Sequence, residues 1–260
     1  MTSLAAIQFD SHYFWQHLFH PDGVFLRAVW TTVYLAVLGQ AFGTLLGLPL
    51  AIARRSTHRL LAGAAWTYSW LWRGTPLLVQ LLIVYTGLAT AGIYRFHDVD
   101  FGLFRLPAEQ QAAIITLSLA EAAYMGEIFR AAIGSVDRGQ WEAAKSVGMR
   151  PWPTMRLVIL PQAARVVVPP LGNEFITMLK QTSLLSIIGV TELFRMSSNI
   201  NSVDFKTFEI FFVAAIWYLM LTTVWSLIQH RIEVHLARSE RASAVPLEKS
   251  SLERLTGLAR

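Results

Sequence analysis

Long apolar blocks separated by short charged segments dominate this chain, and their lengths set the first expectation. Apolar side chains run almost unbroken through about residues 26–53, 60–93, 107–133, 157–179 and 207–232. A bilayer core about 30 Å thick is crossed by roughly 20 apolar residues in a helix. Only a helix or a closed barrel satisfies its own backbone in that setting. The pattern therefore predicts an all-α integral membrane protein of about five transmembrane helices. The second block is too long for one straight crossing, which predicts an interfacial start followed by a tilted span. The fourth block carries Pro161, Pro169 and Pro170 together with Arg165, Asn173 and Glu174. Adjacent prolines remove backbone donors, so a kink or break is expected there. The stretch after it, Lys180-Gln181-Thr182-Ser183 and then the apolar run 184–190, reads as a half-span rather than a crossing.

Composition strengthens this picture. Of the 260 residues, 54% are hydrophobic and only 15% charged, where a soluble domain carries about a quarter charged residues. The basic residues orient the spans. Segments 54–59, 135–156 and 230–260 hold three, four and six Lys or Arg, whereas 1–25, 93–107 and 195–206 hold none, two and two. The positive-inside rule puts the first set in the cytoplasm and the N-terminus outside. Residues 1–25 read as an external segment, 26–232 as the transmembrane domain and 233–260 as a polar cytoplasmic tail. The net charge of +5 reflects these basic loops rather than a nucleic-acid partner. The N-terminus lacks the basic and apolar regions of a cleaved signal peptide. With no cysteine, disulfides and thiolate chemistry are excluded.

Within the first span, Gly39, Gly43 and Gly47 recur every four residues and so share one helical face. Small residues let helices approach closely in lipid, which predicts a packing face within the bundle or against another subunit. Between spans three and four, residues 135–163 read SVDRGQWEAAKSVGMRPWPTMRLVILPQA. Asp137 with Gln140 three residues on predicts a capping box, and Gly148 a helix end. The short helix between them needs a surface to pack on. Trp141, Ala144 and Val147 lie on one side, and Arg138, Glu142 and Lys145 offer charge elsewhere. From spacing alone this is equally an ordinary surface loop helix.

The residues Glu142-Ala143-Ala144, Gly148, Val158 and Leu160-Pro161 resemble the EAA loop of ABC-importer permeases, with valine in the usual isoleucine place. The blocks RGTPLLVQLLIVYTGL (73–88) and PPLGNEFITMLKQTSLLSIIGVTELFR (169–195) are similar to the polar amino-acid branch of that family, the histidine, glutamine, arginine and opine group. The resemblance covers roughly residues 24–232. It implies a type I importer-like fold and a non-catalytic subunit that works with a second permease subunit, identical or related. Two ATP-binding cassette subunits carrying ATP and Mg, an external solute-binding protein and the bacterial inner membrane are implied with it. It marks Asp137, Gln140, Glu142, Ala143, Ala144, Gly148, Leu160 and Pro161 as the ATPase-coupling loop. No phosphate-binding G-x-x-x-x-G-K-[ST] string occurs, which fits that division of labour.

Ionisable and amide groups inside spans are functional candidates by default. Asn173, Glu174, Lys180, Thr182, Ser183, Glu121 and Gln80 are assigned to the translocation pathway or the substrate. Glu121 either tunes substrate charge or pairs with a neighbouring span. Glu127 and Arg130, three apart, are expected to pair on one face of span three. Arg73, ahead of Gly74 and Pro76, reads as an interfacial anchor, with a gating role as the alternative. His12, His17 and His20 lack carboxylate or cysteine partners at ligand spacing, so no metal site is assigned. An intramembrane enzyme would need a convergent nucleophile or metal motif that is not present. A secondary transporter or channel acting without a motor is the alternative function, and it would leave the coupling loop without a purpose.

Overall fold

The computed structural model describes residues 9–100, 102 and 105–243, the last seven as backbone alone. A short helix α1 (Ser11–Phe19) precedes the long α2 (Gly23–Arg54). Next come α3 (Arg59–Gly74) and α4 (Leu77–Leu82), a π turn over Ile83–Gly87, and α5 (Leu88–Thr90). Two residues each of β1 (Val99–Asp100) and β2 (Arg105–Leu106) pair antiparallel, with Val99 opposite Leu106. The remaining elements are α6 (Ala108–Ser135), α7 (Arg138–Ser146), α8 (Pro151–Thr154) and a π turn over Met155–Ile159. They continue through α9 (Leu160–Gln181), a 3₁₀ helix (Thr182–Ile188), α10 (Leu193–Asp204) and α11 (Thr207–Ser243).

Among the described residues three helices, α2, α6 and α11, are long and apolar enough to cross a membrane, and α3 with Leu77–Thr90 makes a fourth, bent pair. The fifth column, α8 to α9, carries too many polar residues to pass on apolarity alone. The second apolar block is not one straight helix. It is two helices meeting at 105°. The tail beyond residue 232 begins as a continuation of α11 to Ser243, and residues 244–260 lie outside the described part.

Helix α6 is the hub, packing on α2, α3, α4 and α9. Its seam with α2 is where the three glycines sit. A Cβ on Gly39 would meet Leu117 Cβ at 3.0 Å, and one on Gly47 would meet Met125 Cβ at 2.7 Å and the Gly126 nitrogen at 2.9 Å. At Gly43 the approach to Glu121 Cβ and Cγ is closer still. Leu117, Glu121 and Met125 are themselves four apart, so two four-residue rows mesh. The predicted packing face therefore lies inside this bundle.

Helix α9 runs through Pro169 and Pro170 without a break in its helical assignment. Donors from α11 serve carbonyls along this stretch: Trp225 Nε1 donates to Gly172 O at 2.9 Å and Gln229 Nε2 to Pro169 O at 3.2 Å. The irregularity falls earlier, in the π turn before Leu160-Pro161. A widened turn accommodates a proline that cannot bond back and whose ring crowds the preceding carbonyls. The half-span expected after Lys180 is a single 3₁₀ element. It ends on Gly189 at φ 96, a left-handed conformation suited to glycine, and its Leu185 and Ile188 join the main core.

Residues ahead of α2 are ordered as α1, an element the hydropathy pattern did not predict. Phe14 and Leu18 bury against Leu193, Ile210 and Val213. Asp10 caps α1 by accepting from Tyr13 N at 3.0 Å and pairs with Lys206 Nζ at 3.0 Å. The Tyr13 amide, and after it the Lys206 ammonium, hold the Asp10 carboxyl below the usual carboxylate range. A lowered folded-state value means that this cap contributes fully above the ordinary aspartate pKa near 3.9, and its contribution is lost as pH falls through the lowered value. Hydrogen exchange over residues 10–19, corrected for intrinsic rate, is expected to speed up in that acid window and to stay flat above it. Protection independent of pH across the window would rule out this staple.

Candidate functional site

The break between α3 and α4 follows from Gly74-Thr75-Pro76. A residue before proline is pushed to extended backbone, and Thr75 sits at φ −117, ψ 145. That ends α3 with carbonyls that lack helical donors. Gln80 supplies them: its Nε2 donates to Trp72 O at 2.8 Å, Thr75 O at 3.1 Å and Thr75 Oγ1 at 2.7 Å. The side chain is 6% exposed, and its Oε1 is buried without a partner.

A cavity of about 480 Å³ opens at this break. Its walls are the last turn of α3 with Arg73, Gln80 of α4, Glu121 and Tyr124 of α6, and Glu174, Thr177 and Gln181 of α9. Glu121 is 4% exposed and accepts from Gln40 Nε2 of α2 at 2.9 Å. It thus both pairs with a neighbouring span and fronts the cavity. Arg73 lies over the Tyr124 ring, 5.6 Å from its centroid, and 3.9 Å from Glu127. That places it in the cavity wall, beside α6. Glu127 pairs with Arg130, as expected, through Nε at 3.1 Å, and also with Arg54 Nη1 at 2.6 Å. One carboxylate therefore ties together α2, α3 and α6.

Of the predicted pathway residues, Gln80, Glu121 and Glu174 converge on the cavity, and four do not line it. Asn173 is exposed and its carbonyl serves Thr177. It is one position from Glu174 and so points about 100° away around the helix. Lys180 is exposed, Thr182 is fully buried and donates to Leu179 O at 2.7 Å, and Ser183 donates to Lys180 O at 2.8 Å. These hydroxyls serve the backbone where α9 tightens into 3₁₀ geometry. Tyr124, Thr177 and Gln181 are the wall residues that residue patterns missed. The signal that pointed to them was the Gly-Thr-Pro break itself.

A second feature sits at the far end of α6. Asp137 caps α7 through Gly139 N at 2.6 Å, but the reciprocal half of the capping box is not made. Gln140 Oε1 instead accepts from Gln162 Nε2 at 3.2 Å, tying α7 to α9. At the other end Gly148 has φ +79, with Gly148 N bonding Lys145 O and Met149 N bonding Ala144 O, both at 3.0 Å. This is the two-bond glycine stop expected from the sequence. Ala144 is buried and Trp141 packs on the cluster around Ile133 and Ile159. Val147, 75% exposed, does not join them. Glu142 and Ala143 also face outward, while Leu160 and Pro161 continue the column into α9. Among the described residues no three histidines or acids gather as metal ligands. His17 Nδ1 lies 3.0 Å from Tyr13 O.

Comparison with known proteins agrees with this architecture. Residues 43–238 match the family of binding-protein-dependent transport system inner membrane components. The arginine transport system permease protein ArgU of Corynebacterium glutamicum is 38% identical over 226 residues, spanning 85% of this chain and 71% of that protein. The histidine/lysine/arginine/ornithine permease protein HisM of Salmonella typhimurium is 35% identical over 81% of this chain and 89% of its own length. Among solved structures, an amino acid ABC transporter with histidines superposes with a TM-score of 0.73 at 37% identity. That match covers 82% of this chain and 94% of that one. A methionine ABC transporter, MetNI, reaches 0.67 at 18% identity over 82% and 96%, a likeness of fold alone. ATPase and substrate-binding partners come with such a system. The chain belongs to the inner membrane components of binding-protein-dependent transport systems and is the membrane-spanning, non-catalytic subunit of an ATP-driven importer.

Proposed function

We propose that this subunit forms part of the pathway for a polar amino acid, within an assembly of two permease and two ATPase subunits fed by an external binding protein. The observation that carries the reading is the cavity at the broken span. It brings a guanidinium, Arg73, together with carboxylates, Glu121 and Glu174, in a space of about 480 Å³. An amino acid presents a carboxylate and an ammonium, so a site for it needs both signs. The volume falls within the roughly 300–1,000 Å³ of small-molecule sites. The relatives named for arginine and for histidine, lysine, arginine and ornithine support the same class.

The distribution of Lys and Arg supports an external N-terminus and a cytoplasmic α7. In that orientation α7 offers Glu142, Ala143 and Val147 to a motor subunit that carries ATP and Mg. Movement of the motor is transmitted to α6 and α9 as rigid bodies, because Trp141 and Gln140 bind α7 to both. The test is uptake of a labelled amino-acid panel into proteoliposomes holding the complete transporter, its binding protein and ATP on the motor side. ATP-dependent uptake of one or a few polar amino acids is the expected result. No uptake by an assembled complex that hydrolyses ATP would overturn it, and uptake without ATP would favour a carrier acting alone.

A further inference from the structure

We infer that the cleft where the end of α2 and the start of α3 meet α7 and α8 holds an anionic phospholipid, its phosphate on Arg55 and Ser56 and one acyl chain along the α2–α3 groove. The site lies apart from the amino-acid pathway and does not depend on it. Two adjoining spaces form it. The first, of about 750 Å³, is walled by Ile52, Leu61, Ile133, Trp141, Trp152 and Met155 and includes Arg55 and Ser56. The second, of about 400 Å³, lies between Leu46, Leu50, Ala64, Ala65 and Leu119. Pro49, Ala53 and Leu61 border both. The polar side chain in the second space is Tyr68, and its hydroxyl donates to Leu119 O at 2.7 Å. That space is therefore fit for hydrocarbon alone. Along α2 the two spaces run from Arg55 back to Leu46. At 1.5 Å per residue this is about 14 Å, close to half of a roughly 30 Å hydrocarbon core and so to the depth of one leaflet.

The charge at the first space has one sign. Segment 54–59 carries Arg54, Arg55 and Arg59 and no acid. Arg54 is spent on Glu127, but among the described residues the side chains of Arg55 and Arg59 make no ion pair or hydrogen bond. Arg55 is nonetheless turned over the end of α6, with Nη1 3.7 Å from where a Cβ on Gly134 would stand. Its guanidinium is a planar fork of N–H donors that matches a phosphate. Ser56 Oγ accepts from His58 N at 3.1 Å and keeps its own proton to donate. Trp152 is 62% exposed beside these groups, as tryptophans are at the boundary of membrane and water. Basic pockets between spans bind anionic headgroups. A zwitterionic lipid brings the same phosphate together with a cation, and among the described residues no carboxylate lines either space to meet it. A free phosphate ester would leave the apolar groove unfilled. On α7, Trp141 lines the cleft while Glu142, Ala143 and Val147 face outward, so lipid and motor subunit use different faces of that helix.

The test is photolabelling of the assembled permease–ATPase complex in phosphatidylcholine nanodiscs doped with phosphatidylglycerol that carries a diazirine on one acyl chain, followed by peptide mapping. Label is expected within residues 46–65. Phosphatidylcholine with the same diazirine chain is expected to label that segment about fivefold less, roughly the effect of one arginine at a charged membrane surface. Arg55→Gln removes the phosphate partner and Leu61→Trp fills the groove. Both positions are exposed, so each variant is expected to keep the parent's unfolding temperature and to lose labelling by a similar factor. Glycerol 3-phosphate in solution is expected not to compete. Equal labelling by the two lipids would show ordinary bulk lipid at this face and overturn the inference. Unchanged labelling in both variants would overturn it as well. An unlabelled segment would mean that another subunit covers the cleft, and displacement by glycerol 3-phosphate would assign the site to a soluble phosphate ester. Either result ends the lipid assignment. Amino-acid uptake plays no part in these readouts, so the pathway stands or falls separately.

Discussion

Gly43→Leu is expected to prevent the bundle from assembling, while Gly63→Leu leaves it intact. Both glycines lie inside helices, so the difference isolates packing from backbone propensity. At Gly63 an added Cβ meets nothing within 4 Å, and losing a mid-helix glycine relieves a backbone cost of roughly 0.5–1 kcal/mol. At Gly43 the added atom falls on Glu121 Cβ and Cγ and lies 3.3 Å from the Ala122 nitrogen. The obstacle includes backbone, which cannot rotate away. Overpacking a core costs about 1–3 kcal/mol, and more where backbone must move. Total stabilities run to only about 5–15 kcal/mol. Separating α2 from α6 at this level also disturbs the Gly39 and Gly47 contacts in the same seam, so the losses compound. The measurement is the yield of monodisperse complex and its unfolding temperature. A Gly43→Leu protein that purifies and unfolds like the parent would show that the seam is not close-packed. The seam has a functional side too, since Gly43 seats the Cβ of Glu121 and so positions a carboxylate of the cavity.

This seam was legible in the sequence because its period is local: glycines four apart share a face whatever surrounds them. The same holds for the stop at Gly148 and the i, i+3 pair of Glu127 and Arg130. Features that depend on a second element were less legible. Gln140 matched a capping box by spacing, yet its side chain went to Gln162, a competitor 22 residues away. Pro169 and Pro170 carried a reliable local penalty, but α11 places Trp225 and Gln229 where they serve carbonyls of that stretch, so the helix continues. The pathway residues divide on the same ground. Hydropathy marks a polar residue as unusual without saying which side of its helix faces the cavity, and Asn173 and Glu174 are neighbours in sequence with different surroundings. Arg73 reads as an anchor because a basic residue beside a turn commonly snorkels, while its place in the cavity wall depends on another helix. Its partners Tyr124 and Glu127 lie on α6, some fifty residues on, and nothing in the local pattern names them.

Gly148→Val is expected to lower ATP-driven uptake by tenfold or more while the complex still assembles and hydrolyses ATP. Gly148 holds φ +79 at the end of α7. A β-branched residue is a strained occupant of that region, at about 1–3 kcal/mol. The strain is discharged by reshaping the last turn, which moves the Ala144 and Lys145 carbonyls now bonded by Met149 N and Gly148 N. Gly148 is exposed, with nothing within 4 Å of an added Cβ, so the bundle core is untouched and the damage stays at the presented face. Glu142→Trp attacks the same face from the other direction: it leaves the helix stop intact and alters the exposed surface beside Ala143. Two substitutions that share no contact and no mechanism of strain, yet produce the same separation of hydrolysis from transport, would locate the coupling in the face itself. If uptake persisted in both, α7 would be a loop helix and the force would have to enter through another part of the chain. A loss of assembly in Gly148→Val but not in Glu142→Trp would instead assign the glycine to folding. The coupling question would then rest on Glu142, whose side chain is free to change without cost to the α7 stop.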